Sequence, residues 1–266
     1  MKLTILTDNT TRIDRYYLGE PGASYYLEDG DARILFDTGY SDVYRRNAEK
    51  LGIDLAAVTA VALSHGHNDH TGGLRYFPET EEKLPLVAHP AAFEPKRYGE
   101  TAIGSPLEAE ELAQRFALRL TAEPVQLSEH IMWLGQVPRT VPFENRSPIG
   151  EHFADGAWQP DFLMDDTALV YRGAEGLWII TGCSHVGICN ITEYAKRVTG
   201  EERICGIIGG FHLLKMTSRV GKTVEYLKAQ HPAHLCPCHC TCFHARAAIH
   251  AAVPVEEVCV GDTMEL

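Results

Sequence analysis

Ser64-His65-Gly66-His67-Asn68-Asp69-His70-Thr71-Gly72-Gly73 comes directly after the apolar run Val58–Leu63, and no other stretch of the chain is as restrictive. Three imidazoles and a carboxylate within six residues are costly in any core, because each needs a hydrogen-bond partner once water is removed. At the end of a strand, with a glycine pair behind them, a tight loop can turn these side chains toward a common point. Imidazole nitrogen and carboxylate oxygen are the donor set for zinc and similar first-row cations. His65 and His67 are two residues apart and are placed to grip one ion. Asp69 and His70 are adjacent and point elsewhere, which suits a second ion a few ångströms away.

The chain around this motif has 266 residues, 45% of them apolar and 23% charged, the profile of a globular protein with a substantial core. No run approaches the roughly 18 apolar residues of a membrane span. The opening MKLTILTDNTTRID is a short strand-like run broken at Asp8, Asn9 and Thr10, without the apolar segment of a signal peptide. A cytoplasmic protein with no membrane partner is expected. Lys and Arg number 24 against 36 Asp and Glu, and the net charge of −12 argues against a nucleic-acid partner. A small anionic substrate remains open, because a bound divalent cation reverses the local field. Eight cysteines are not expected to form disulfides in that compartment. The oligomeric state is not legible.

Strands are expected at Ala23–Glu28, Arg33–Phe36 and Val58–Leu63, with a helix over Val43–Leu51 opened by Asp42 and stopped by Gly52. Ten of the 14 prolines fall between Pro78 and Pro160, so an irregular insertion is expected at about 78–160 within one domain spanning 1–266. One helix interrupts it, opened by the capping-box pattern Ser105-Pro106-Leu107-Glu108. Beyond Pro160 come strands Ala168–Tyr171 and Leu177–Thr181, a helix near Ile191–Val198 and a strand Ile204–Ile208. A helix near Val220–Ala229 and a strand near His234–Cys236 follow. Helices between strands favour a layered α/β architecture.

With this motif the chain resembles the metallo-β-lactamase superfamily. The likeness extends to Leu35-Phe36-Asp37-Thr38-Gly39 upstream, and to Gly182-Cys183-Ser184-His185, Gly209-Gly210-Phe211-His212-Leu213 and Pro237-Cys238-His239-Cys240-Thr241 downstream. Together with Asn47-Ala48 and Leu51-Gly52-Ile53, these segments resemble the branch labelled 7,8-dihydropterin-6-methyl-4-(β-D-ribofuranosyl)aminobenzene-5′-phosphate synthase. The resemblance implies a four-layer αββα sandwich of two mixed sheets flanked by helices, with metals at one end. It implies two divalent ions, zinc first and manganese or iron as alternatives. His65, His67 and a later His would bind one, and Asp69, His70 and His239 the other. His185 is the candidate for the later His. Cys183 stands where many relatives carry a bridging Asp, and the favoured reading tucks it against the Gly182 turn as a small buried residue. His212 is expected to face the site, either as a structural imidazole or in a substrate or proton-transfer role. Asp165 and Asp166 are expected to support an imidazole through a hydrogen bond, or else to be solvated at a strand end.

In Cys236-Pro237-Cys238-His239-Cys240-Thr241-Cys242, alternation by two would put four thiols on one strand face and His239 on the other. That run could hold a further sulfur-rich site, although small buried cysteines are the plainer reading. His89, His130, His152, His231, His234, His244 and His250 carry no motif. The resemblance favours a dinuclear hydrolase of a phosphoester or phosphorylated metabolite, working through a metal-bound hydroxide with Asp69 as the orienting ligand. Arg75, Lys96 and Arg97 are within sequence reach of a phosphate, although solvated surface is the plainer expectation for each. The alternative is a transferase joining a dihydropterin pyrophosphate to a ribosyl-aminobenzene phosphate. A redox role of the flavodiiron kind is disfavoured, since those relatives carry Glu where His67 stands.

Overall fold

Alternation along the strands sends side chains to opposite faces, and three cores result. Leu3, Ile5, Leu27, Ile34 and Phe36 point one way and meet Trp133, Leu169, Ile180 and Ile208 of a second sheet. Leu6, Tyr26, Leu35 and Val61 point the other way, beneath Tyr44 and Ala48 of the helix Val43–Leu51 and Leu112 of the helix Ala109–Arg115. On the far side, Val170, Ile179 and Ile207 pack under Ile191, Val224 and Ile249, from the helices Ile188–Thr199, Ser218–Gln230 and Phe243–His250. Helix, sheet, sheet, helix is the four-layer αββα order. The computed structural model describes residues 1–144 and 146–266.

Both main sheets are mixed. The first has seven strands in the order Thr263–Glu265, Lys2–Thr7, Ser24–Asp29, Ala32–Phe36, Ala60–Ala62, Leu84–Ala88 and Phe116–Leu120. The second has six, in the order His234–Cys238, Ile204–Gly210, Gly176–Thr181, Ala168–Gly173, Ile131–Trp133 and Val125–Gln126. Ala32–Phe36 runs parallel to Ala60–Ala62. Gly176–Thr181, Ile204–Gly210 and His234–Cys238 are parallel to one another. The chain leaves these five strands into Asp37, the His65–His70 motif, Cys183 to His185, His212 and His239. Carboxyl ends of parallel strands are where α/β sheets place their ligands.

The middle of the chain departs from expectation. Residues 78–160 are not mostly irregular: they supply the strands Leu84–Ala88 and Phe116–Leu120 to the first sheet, and Val125–Gln126 and Ile131–Trp133 to the second. A third, four-stranded antiparallel sheet, of Lys96–Tyr98, Thr101–Ala102, Glu151–Ala154 and Ala157–Pro160, also lies here. The prolines sit mainly in connections or at strand margins, where no ladder donor is lost. The helix expected from Ser105 starts only at Ala109, because Ser105 Oγ instead bonds both the nitrogen and the carbonyl of Leu107 in a local turn. No helix among the described residues is long and apolar enough to cross a membrane.

Trp133 joins the two sheets. It is fully buried, and its Nε1–H donates to the Leu63 carbonyl, 2.9 Å away, one residue before the motif. Trp133→Phe keeps most of the apolar volume but leaves that carbonyl unpaired. A loss of about 1–3 kcal/mol is expected, read from the shift in urea midpoint.

Candidate metal centre

The motif strand ends early, and Asn68–Thr71 forms a short helix with His67 at its N-cap position. Asp37, fully buried at the end of the neighbouring strand, receives this loop. It accepts from Ser64 N at 2.7 Å, from Ser64 Oγ at 2.7 Å and from His70 Nδ1 at 2.7 Å. A carboxylate only accepts, so the His70 proton is on Nδ1 and its Nε2 faces Asp69 and Cys183. Ser64 has given its one proton to Asp37, so it accepts from His65 Nδ1 at 2.9 Å. That leaves His65 Nε2 bare, 3.1 Å from His185 Nε2.

Two sets of donors converge. His65, His67 and His185 are all buried, with ligand atoms within 4.8 Å of one another. Burial and the neighbouring imidazoles push His65 and His185 well below the usual histidine range. Burial holds His67 at about 4. All three are therefore neutral near pH 7, the form that binds a cation. The buried Nε2 of His67 and Nδ1 of His185 have no hydrogen-bond partner, a costly state that a cation shared among these rings relieves at His67.

The second set is Asp69, His70, Cys183 and His239, again within 4.8 Å. Asp69 Oδ2 lies 3.5 Å from Nε2 of both His70 and His239. Burial opposes charge on His70, but Asp69 and Asp37 outweigh it and raise its pKa well above normal. Burial likewise opposes charge on Asp69, and His70 and His239 override it to hold the carboxylate well below its normal range. This pocket calls for positive charge, which a cation supplies as well as protons do. Both donor sets thus fit metal ions.

Cys183 corrects an expectation. It is not tucked away from the site: its Sγ lies 3.3 Å from His70 Nε2 and 3.2 Å from His239 Nε2. Cys183 and His185 therefore do not compete for one place, since each faces a different donor set. Gly182 makes this possible, because a Cβ there would fall 2.1 Å from Ser64 Oγ and 2.9 Å from Asp37 Oδ2. Ser184, at φ 59°, donates to the Gly210 carbonyl at 2.7 Å and locks the turn.

His239 is held from the far end of the chain. Its N–H donates to Asp8 Oδ2 at 2.9 Å, and its Nδ1 pairs with Asn9 Oδ1 at 3.1 Å, leaving Nε2 toward Asp69. Asp8 and Asn9 are legible in the sequence only as the end of a strand-like run. The four thiols do not share one face. Cys236 and Cys238 alternate into the intersheet core, but His239 at φ 48° ends the extended run. Cys240 turns back toward Cys183 and His212, and Cys242 becomes the N-cap residue of the helix Phe243–His250.

His212 does face the site, its ring 4.3 Å from that of His185 and its Nδ1 buried without a partner. Asp165 and Asp166 are buried but grip backbone instead of imidazole. Asp165 Oδ2 accepts from Gly66 N, and Asp166 Oδ2 from Val186 N, both at 2.8 Å. Burial lifts Asp166 to about 7. Lys96 is not at the surface: it is buried between Asp161 at 2.9 Å and Asp165 at 3.4 Å. Arg97 stacks on Trp158, 4.1 Å from the ring centre, and pairs with Glu151, while Arg75 is exposed at the surface. Over the two donor sets opens a cavity of about 410 Å³, walled by Tyr40, Ile149 and Leu214.

Residues 18–198 match the metallo-beta-lactamase superfamily. An uncharacterised protein of Methanocaldococcus jannaschii is 34% identical over 246 residues, covering 91% of each chain. The same organism's 7,8-dihydropterin-6-methyl-4-(β-D-ribofuranosyl)-aminobenzene-5′-phosphate synthase is 29% identical over 92% of this chain and 89% of its own. A crystal structure described as Tm1679, a metal-dependent hydrolase of the β-lactamase superfamily, superposes with a TM-score of 0.87 at 31% identity, covering 100% of this chain and 99% of the other. The chain belongs to the metallo-β-lactamase superfamily, whose members are generally metal-binding enzymes.

Asp37 orients one imidazole of each donor set, directly for His70 and through Ser64 for His65. Asp37→Asn should therefore weaken metal binding about 10–100-fold without unfolding the chain, as measured by competition with a chromophoric chelator.

Proposed function

We propose that this protein is a dinuclear metal-dependent hydrolase of a phosphoester or phosphorylated metabolite. The observation that carries the reading is the pair of adjacent donor sets, one wholly and one partly buried, beneath one cavity. His65, His67 and His185 would hold one divalent ion. Asp69, His70 and His239 would hold the other, with the Cys183 thiolate as a soft fourth donor that favours zinc. When bound, two such ions supply Lewis acidity at the scissile bond and a nucleophile at neutral pH.

The chain's own side chains do the rest. Asp69, between the His70 and His239 rings, orients the attacking water. His212, on the cavity wall beside His185, carries a proton to the leaving group. Asp37 and Ser64 fix the tautomers of His70 and His65, so that neither of these two imidazoles turns its N–H toward the neighbouring donors. A phosphorylated substrate fits the name of the M. jannaschii synthase. The eight free cysteines fit a reducing cytoplasm.

That same relative favours a second reading, a transferase releasing pyrophosphate only when an arylamine acceptor is present. Product analysis separates the two: hydrolysis places solvent oxygen in the product, and transfer does not.

The purified protein should carry close to two first-row divalent ions per chain by elemental analysis. Less than half an ion after reconstitution with zinc or manganese would end the dinuclear reading. His185→Ala should lose one ion and retain the other. Cys183→Ser should keep the first ion and bind the second more weakly. Asp69→Ala should lower turnover of a phosphodiester about 10²–10⁴-fold with the fold intact by circular dichroism. Unchanged turnover would remove Asp69 from its role.

A further inference from the structure

A second cavity, of about 500 Å³, shares Ile149, His212 and Leu214 with the cavity over the donor sets. The two spaces lie side by side and have contrasting walls. The first presents imidazoles, thiols and Asp69. The second presents Arg146, Lys215 and Arg219, with Glu144 as the one carboxylate. In a chain of net charge −12, three cations around one hollow are a local reversal of field.

Glu144 offsets only one of the three. It is buried, and one of its oxygens already accepts from Cys189 N at 3.0 Å, at the start of the helix Ile188–Thr199. Among the described residues, Arg146, Lys215 and Arg219 enter no ion pair. Arg219 bonds the His212 carbonyl, which fixes it at the seam between the two spaces. The helix Ser218–Gln230 also begins here, since Thr217 and Arg219 line the hollow. Its first turn carries no acidic residue, and no side chain caps it. The positive end of the helix dipole therefore adds to the three side chains.

We propose that this hollow binds a phosphate monoester carried by the substrate, away from the bond that reacts. Two guanidinium groups and an ammonium match a dianion with three terminal oxygens, whereas a carboxylate would leave positive charge unmet. Ile149 and Leu214, on the shared wall, offer apolar contact to whatever joins the phosphate to the reacting group. The separation of this phosphate from the reacting bond rests on the imidazole cavity being the reaction centre; the binding chemistry does not.

The test is calorimetric titration of the protein as purified with D-ribose 5-phosphate, with D-ribose and D-gluconate as controls. Ribose 5-phosphate should bind, and ribose should not. Arg146→Ala and Lys215→Ala should each weaken binding about tenfold at unchanged melting temperature, and Lys215→Arg should restore most of it. Asp69→Ala should leave the affinity within about threefold. Inorganic phosphate should compete in a Lys215-dependent way if the hollow recognises the phosphate group alone. Affinity unchanged in both alanine variants, or lost only in Asp69→Ala, would put the phosphate on the metal centre and overturn the proposal. Equal competition by gluconate would overturn the choice of phosphate. Failure of the hydrolase reading looks different: no metal-dependent turnover of any phosphoester, with Lys215-dependent binding intact.

Discussion

Asp37 is closed off from solvent, and its carboxylate is tolerable there only because Ser64 N, Ser64 Oγ and His70 Nδ1 all converge on it. A buried acceptor of this kind is costly unless every lone pair is used. The same three bonds that satisfy it also determine the site. They draw the motif loop against the strand Ala32–Phe36, set the His70 tautomer, and use up the Ser64 proton so that His65 must donate. One carboxylate thereby decides which nitrogen of two imidazoles faces the other donors.

The architecture bears strain to keep this arrangement. Asp37, Ser184, His212 and His239 all adopt positive φ, each just beyond a strand that ends at the site. Such conformations cost about 1–3 kcal/mol for residues other than glycine, and they persist where surrounding contacts over-determine them. Those contacts are present: the Asp37 bonds, the Ser184 bond to Gly210, and the Asp8 and Asn9 bonds to His239. The sharp exits redirect the chain within one to three residues of each strand, which a gradual turn would not do. The glycines serve the same end, as at Gly66, where a Cβ would fall 1.9 Å from the Ala92 carbonyl oxygen.

Charge follows a division of labour. The three imidazoles of the first set are kept neutral by burial and mutual repulsion, while the second set gathers charge around Asp69. The asymmetry arises because Asp37 and Asp69 both neighbour His70, whereas the first set contains no carboxylate. Lys96, between Asp161 and Asp165, shows how a chain rich in acids buries some of them: each buried carboxylate is given a cation or backbone donors.

Local patterns are legible where chemistry and period coincide. His65, His67, Asp69 and His70 stand within six residues, and strands such as Ala168–Gly173 and Gly176–Thr181 announce themselves by apolar runs that need no partner to be recognised. By itself the sequence determined the motif, the order of helices and strands from Ala168 to Cys238, and the class of ligand atoms, but not the helix Phe243–His250 or the edge strand Thr263–Glu265. What the tertiary structure alone decided is which distant residues meet. Asp8 and Asn9 reach His239 across about 230 positions, and a single Asp-Asn pair at a strand end carries no local sign of that. Cys183 and His185, two residues apart, face different donor sets because of one left-handed residue, Ser184. The four strands that residues 78–160 lend to the main sheets depend on partners elsewhere in the chain, because a short strand is stable only through the ladder it joins. Spacing can name the donors, but hydrogen bonds between remote segments set the directions in which they point.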